Sequence, residues 1–63
     1  MIINGKPCTG NGQTLGTLLQ EQGFDRSRVA VERNGEIVPR AQFDEVLLEE
    51  TDRLEIVQFV GGG

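Results

Sequence analysis

Sixty-three residues carrying ten acids against six bases, a net charge of −4, make one small domain whose core is thin, because a chain this size buries only about 60% of its unfolded surface. A hydrophobic share of 37% with 25% charged residues is a globular balance, and the acidic excess argues against a nucleic-acid binder, which needs a basic stripe. With no histidine and a single cysteine, histidine general bases, Ser-His-Asp triads, internal disulfides, four-thiolate zinc sites and iron–sulfur clusters are excluded. No apolar run approaches the roughly 20 residues of a membrane span, and the N-terminus lacks a signal-peptide core, so the expectation is a soluble, cytoplasmic domain.

The chain is punctuated by two Asn-Gly pairs, Asn4-Gly5 and Asn34-Gly35, each between short β-prone runs. Asn-Gly is the strongest short hairpin signal, because a type I′ turn needs positive φ at both centres. The first predicted hairpin pairs Met1–Ile3 with Lys6–Cys8, and the second pairs Val29–Arg33 with Glu36–Val38. In the second, Val29, Val31 and Ile37 are expected to face the core, with Ala30 and Glu32 pointing away. Between the hairpins, Thr14 can cap a helix whose Leu15, Leu18 and Leu19 share one face, and Gly23 can end it. Gly16 inside its first turn costs about 1 kcal/mol relative to Ala, so this helix must lean on packing.

Pro39 stops the fourth strand, and Ala41–Glu45 reads as an irregular or 3₁₀ crossover anchored by Phe43, Val46 and Leu48. The last and longest β-prone run is Arg53–Val60, with Leu54, Ile56, Gln58 and Val60 on one face and Glu55, Val57 and Phe59 on the other. Hairpin, helix, hairpin, crossover and final strand are the order of an α+β, ubiquitin-like β-grasp: a mixed sheet with one helix across one face. Its first and last strands would lie parallel in the middle. Residues 1–60 are expected to form this domain, and 61–63 a flexible glycine tail.

The sequence stops at Gly61-Gly62-Gly63. Composition alone allows a frayed end or a cloning remnant. The functional alternative is that the tail is the working part: three residues reach about 10 Å when extended, and without Cβ atoms they can thread a narrow channel. The terminal carboxylate would then be an unhindered acyl group. It is a poor electrophile until activated, for instance by adenylation, and this chain has no means of binding ATP. A partner must carry the nucleotide, and ordering three glycines in its site would cost on the order of 3–6 kcal/mol. Docking must offset that cost. Val57 and Phe59, on the sheet face opposite the helix, with Val60 and Gly61 leading into the tail, are the candidate partner-binding residues.

Competing motifs are weak. Gly10, Gly12 and Gly16 approach a dinucleotide fingerprint, but the third glycine is one position late and the chain is too short for a Rossmann sheet. No Gly-Lys-[Ser/Thr] occurs, which excludes a P-loop. Cys8 reads as a small structural residue without an activating base. Glu45, Glu49, Glu50 and Asp52 read as a solvated acidic run, and Arg33, Arg40 and Arg53 as surface ion-pair members worth little each. No cofactor or metal site is expected on this chain.

Two stretches carry a family resemblance. Val31-Glu32-Arg33-Asn34-Gly35-Glu36-Ile37-Val38-Pro39-Arg40 and Asp52-Arg53-Leu54-Glu55-Ile56-Val57-Gln58-Phe59-Val60-Gly61-Gly62-Gly63 resemble the central hairpin and closing strand of the bacterial sulfur carriers of the ThiS family. The Asn4-Gly5 turn and the helix near Thr14–Gln22 fit the same pattern. The resemblance implies a protein co-substrate for thiamin thiazole biosynthesis, not an enzyme. A ThiF-like adenylyltransferase, using ATP and magnesium, would adenylate the Gly63 carboxylate. Persulfide sulfur from cysteine, delivered through a desulfurase, would turn it into a thiocarboxylate, and a ThiG-like thiazole synthase would receive that sulfur. Gly62 and Gly63 match the family's functional pair, with Gly61 as an additional glycine. Two other readings share the tail. A MoaD-like carrier for molybdopterin is disfavoured by the short chain, and a ubiquitin-like modifier or interaction module would form isopeptides or none.

Overall fold

A computed structural model of the protein describes residues 1–10 and 12–60; the predicted tail, 61–63, lies outside these. Both Asn-Gly pairs form the turns their chemistry favours. Asn4 and Gly5 have φ of 51° and 82°, Asn34 and Gly35 of 53° and 85°, the left-handed values a type I′ turn requires at both centres. The first turn joins β1 (Ile2–Ile3) to β2 (Lys6–Pro7), and the second joins β3 (Val29–Arg33) to β4 (Glu36–Ile37). The last strand, β5 (Arg53–Gln58), lies between the hairpins in the order β2-β1-β5-β3-β4, parallel to β1 and antiparallel to β3. This is the β-grasp arrangement expected from the element order. The strand ends at Gln58, two residues before the predicted limit, although the Phe59 amide still donates to the Arg28 carbonyl at 2.8 Å.

The one α-helix among the described residues, α1 (Leu15–Glu21), buries Leu15, Gly16, Leu18 and Leu19 against the sheet. The amides of its first three residues, which have no partner within the helix, are all taken. Leu15 N donates to Val46 O and Gly16 N to Phe43 O at 2.9 and 2.8 Å, and Thr17 N donates to the Thr14 hydroxyl at 3.2 Å. The crossover through residues 43–48 therefore docks on the helix end. Gly16, costly by helix propensity, sits where a Cβ would collide with the Asp44 carboxylate paired to Arg26. At the other end Gly23, with φ of 81°, lets its own amide reach Gln20 O and the Phe24 amide reach Leu19 O, a Schellman closure that brings Phe24 onto the core. Ile3, Val29, Val31, Val38, Phe43, Leu48, Leu54 and Ile56 complete that core.

Three expectations are corrected. Ile37 is 67% exposed and Val38 is buried in its place. A two-residue turn at Asn34-Gly35 pairs Arg33 with Glu36 and Glu32 with Ile37, so Ile37 shares the outward face of Glu32. Asp52 is not part of a solvated acidic run: it is 1% exposed. Its carboxylate accepts from Arg33 Nε (2.9 Å), Asn34 Nδ2 (3.0 Å) and Glu49 N (2.9 Å). Arg33 is accordingly no ordinary surface ion pair, since it also donates through Nη2 to the Leu47 carbonyl at 3.2 Å. Arg40 donates to the Val29 carbonyl at 3.3 Å, and among the described residues neither it nor Arg53 forms an ion pair.

Burial pushes the Asp52 carboxyl up, but the hydrogen bonds from Glu49, Asn34 and Arg33 outweigh it and hold the group below the usual aspartate value. An aspartate depressed in the folded state stabilises the fold above its unfolded value near pH 4, and that contribution is lost as pH falls through the lower folded value. Asp52→Ala is expected to cost about 3 kcal/mol at neutral pH, the low end for breaking a buried pair because Arg33 keeps some access to water. Urea unfolding from pH 7 to pH 2 checks this. The gap between wild type and variant should narrow below about pH 4, and a gap constant with pH would contradict the assignment.

Candidate functional site

The end of β5 is held on both flanks. On the β3 side, Phe59 N donates to Arg28 O at 2.8 Å, and Gln58 Oε1 accepts the Asp25 amide at 2.9 Å. The turn supplying these contacts is a 3₁₀ segment, Arg26–Arg28, capped by Asp25. Asp25 Oδ1 accepts from the Ser27 hydroxyl at 2.7 Å and the Ser27 amide at 3.0 Å. These hydrogen bonds hold the exposed Asp25 carboxyl below its ordinary range, with a further contribution from Arg28 3.6 Å away. On the β1 side, the Asn4 side chain takes the place of a neighbouring strand. Its Oδ1 accepts from Ile56 N at 2.7 Å, and its Nδ2 donates to Ile56 O at 3.1 Å. β5 thus leaves the sheet from a fixed position.

Val57 and Phe59 stand on the sheet face opposite the helix, 57% and 56% exposed, and Val60 beyond them is 89% exposed. The register puts Ala30 beside Val57 and Glu32 beside Glu55, with Ile37 beyond Glu32. The open face is therefore an apolar patch around Val57 and Phe59 with carboxylates next to it and Ile37 at its far edge. Ile37 was missed as a surface residue from sequence, although counting pairs back from the two-residue turn would have found it. Gly61, Gly62 and Gly63, the remaining predicted site residues, lie outside the described residues.

Other concavities lie elsewhere. A cleft of about 390 Å³ runs from Arg33 and Asn34 along β4 to Gln42 and Val46, by the start of β5 rather than its end. Cys8, half-buried against the core, lines a second cleft of about 470 Å³ with Pro7, Thr9 and Gln22. Among the described residues no three His, Cys, Asp or Glu side chains converge as a metal site, and no helix is long and apolar enough to cross a membrane.

Fold and site together define a ubiquitin-like β-grasp domain whose central strand runs past an open apolar face toward a C-terminal glycine stretch. Residues 1–63 match the ThiS family over their whole length, and the chain belongs to that family. It is 44% identical over 63 residues to the sulfur carrier protein ThiS of Bacillus subtilis, covering 97% of this chain and 96% of that one. A crystal structure of the thiamine biosynthesis protein ThiS from Geobacter metallireducens superposes with a TM-score of 0.79 at 35% identity, covering 98% of this chain and 96% of that one. The chain is also 45% identical over 64 residues to a thiazole synthase of Paramagnetospirillum magneticum, with all of this chain matched to 20% of that protein. It spans about a fifth of the length of the thiazole synthases it matches.

The packing separates surface from core on adjacent residues. Val57→Ala and Phe59→Ala are each expected to change stability by no more than about 0.5 kcal/mol, whereas Val38→Ala should cost about 1.5 kcal/mol for two lost methyl groups. Thermal melts of the three variants check the register, and a large loss at Val57 or Phe59 would place those side chains in the core.

Proposed function

We propose that this domain is a sulfur carrier for assembly of the thiamin thiazole, acting as a protein co-substrate rather than an enzyme. Its working group is the carboxylate of Gly63, with Gly62 giving the clearance for an active-site channel. The observation that carries this reading is the end-to-end 44% identity with the Bacillus sulfur carrier. The geometry supports it, because β5 is firmly held and flanked by an exposed apolar face, and three glycines follow Val60 in the sequence.

The chemistry follows from what a carboxylate needs. Attack of the Gly63 carboxylate on the α-phosphorus of ATP forms an acyl-phosphate bond and releases pyrophosphate. This converts a resonance-stabilised anion into an acyl group with AMP as leaving group. The terminal sulfur of a persulfide then displaces AMP and forms an acyl disulfide. A second thiol cleaves its S–S bond and is itself oxidised to the disulfide, leaving the thiocarboxylate on Gly63. ATP and magnesium belong to a ThiF-like adenylyltransferase, and the persulfide to a cysteine desulfurase route. A thiazole synthase of the ThiG type takes the sulfur, a pairing supported by proteins of that name containing a stretch like this chain. The reaction is placed in the cytoplasm, where these co-substrates are available.

Val57, Phe59 and Val60 with Gly61 form the surface that holds the adenylating partner. Burial of the exposed Val57 and Phe59 side chains offsets the ordering of the glycines, at roughly 25 cal/mol per Å² of apolar area. Adjacent Glu32 and Glu55 favour a partner with a basic rim.

Intact mass spectrometry tests the reading. The native protein is weighed first to establish that Gly63 bears the free carboxylate. After incubation with ATP, magnesium, cysteine, the desulfurase and the adenylating enzyme, the chain should gain the mass of one oxygen replaced by sulfur, located at Gly63 by fragmentation. Deleting Gly63, or Gly62 with it, should abolish the gain and leave the melting temperature unchanged. Full loading of the shortened chain, or lysine adducts in place of sulfur, would overturn the assignment.

A further inference from the structure

The backbone groups of β5 divide into two rows. One row faces β3: Asn34 N donates to Arg53 O and Phe59 N to Arg28 O, both at 2.8 Å. Glu32 lies opposite Glu55 and Ala30 opposite Val57 in the same register, so every odd residue of the strand belongs to this row. The even residues face β1. Asp52 O accepts Ile2 N at 3.0 Å and Leu54 O accepts Asn4 N at 2.9 Å, and Ile56 exchanges both its groups with the Asn4 side chain. Gln58 is next in this row. Its amide and carbonyl point to the side that β1 has vacated by turning at Asn4-Gly5, and β5 pairs with β1 only at Arg53 and Leu54.

We propose that this open stretch of edge, from Gln58 through Val60, receives one extended segment of the adenylating enzyme, added as a strand in line with β1. The inference rests on the functional reading above and deepens it by naming how the partner grips the chain. Sheet edges are usually blunted by Lys, Pro or another inward charge. Here Val57, Gln58, Phe59 and Val60 carry none of these, whereas the equivalent groups of Ile56 are sealed by Asn4. Reach points to the occupant. Three residues follow Val60, spanning about 10 Å at most, so an enzyme that holds the Gly63 carboxylate must come within that distance of Val60, close enough to reach this edge. Strand addition holds the approach to the reactive end by main-chain bonds, independent of side-chain sequence, and leaves the apolar face free for Val57 and Phe59 to dock.

Amide hydrogen exchange provides the first test. In the free protein the Gln58 amide should exchange quickly, and with saturating adenylating enzyme it should slow by about tenfold or more. The Phe59 amide, already bonded to Arg28, should be protected in both. A chain made by total synthesis with an ester in place of the Val57–Gln58 amide removes the Gln58 N–H and keeps every side chain, while weakening the Val57 carbonyl as an acceptor toward β3. Its kcat/KM for adenylation is expected to fall about 3- to 10-fold, the effect of one hydrogen bond, with the native fold retained by circular dichroism and a melt lowered only by the weaker Val57 acceptor. A Gln58 amide that stays fast in the complex, or an ester chain loaded at the normal rate, overturns strand addition while leaving the sulfur-carrier reading intact. Gln58 protection that rises with the protein's own concentration would assign the edge to a second copy and equally overturn it. Failure of the unmodified chain to form any acyl-adenylate would instead sink the reading on which the inference rests.

Discussion

The structure depends on the grip of two turn asparagines on the central strand. Asn4 and Asn34 each sit in the left-handed region that a type I′ turn demands, and each turns its side-chain amide onto β5. Asn4 bonds both backbone groups of Ile56. Asn34 accepts the Arg53 amide at 2.9 Å and donates to the Asp52 carboxylate. A two-residue β1 could not pair a six-residue strand alone. The asparagine amides extend that pairing by side-chain chemistry, and buried Asp52 gathers Arg33, Asn34 and Glu49 around the point where the strand begins.

This matters because so small a domain has little apolar area to spend on rigidity. Leu15, Leu18 and Leu19 bind the helix to one face, while the crossover carbonyls of Phe43 and Val46 close the helix end. The opposite face stays uncovered, so Val57 and Phe59 remain available without weakening the core. Ile56 and Phe59 are anchored by hydrogen bonds while Val60 beyond them is exposed, so the hold on β5 ends within a few residues of its last paired position.

Much of this was legible in the sequence because local signals agreed with one another. Asn-Gly fixed both hairpins, Thr14 and Gly23 bracketed the helix, and alternation along Arg53–Val60 separated Leu54 and Ile56 from Val57 and Phe59. One failure was local, since the register of the Asn34-Gly35 turn already puts Ile37 beside Glu32; the others each depended on a partner distant in sequence. Ile37 was misplaced because hydrophobicity was read before turn register. Asp52 looked like one more surface carboxylate, since nothing local reveals that Arg33 and Asn34, about twenty residues earlier, will close over it. Gly16 looked like a helix defect until Asp44 and Arg26 appeared beside it. The second role of the asparagines was hidden for the same reason, as their targets on β5 are contacts of the finished sheet.

On the sulfur-carrier reading, the fold presents one free carboxylate for chemistry performed by others. A synthetic chain whose Gly63 ends in a primary amide removes that group alone. Pyrophosphate exchange by the adenylating enzyme is measured alongside its binding affinity for the same chain. Folding should be unchanged, binding through the β5 edge and the open face near normal, and exchange undetectable. Exchange at the normal rate with the amidated chain would place the reactive group elsewhere and refute the role of the Gly63 carboxylate.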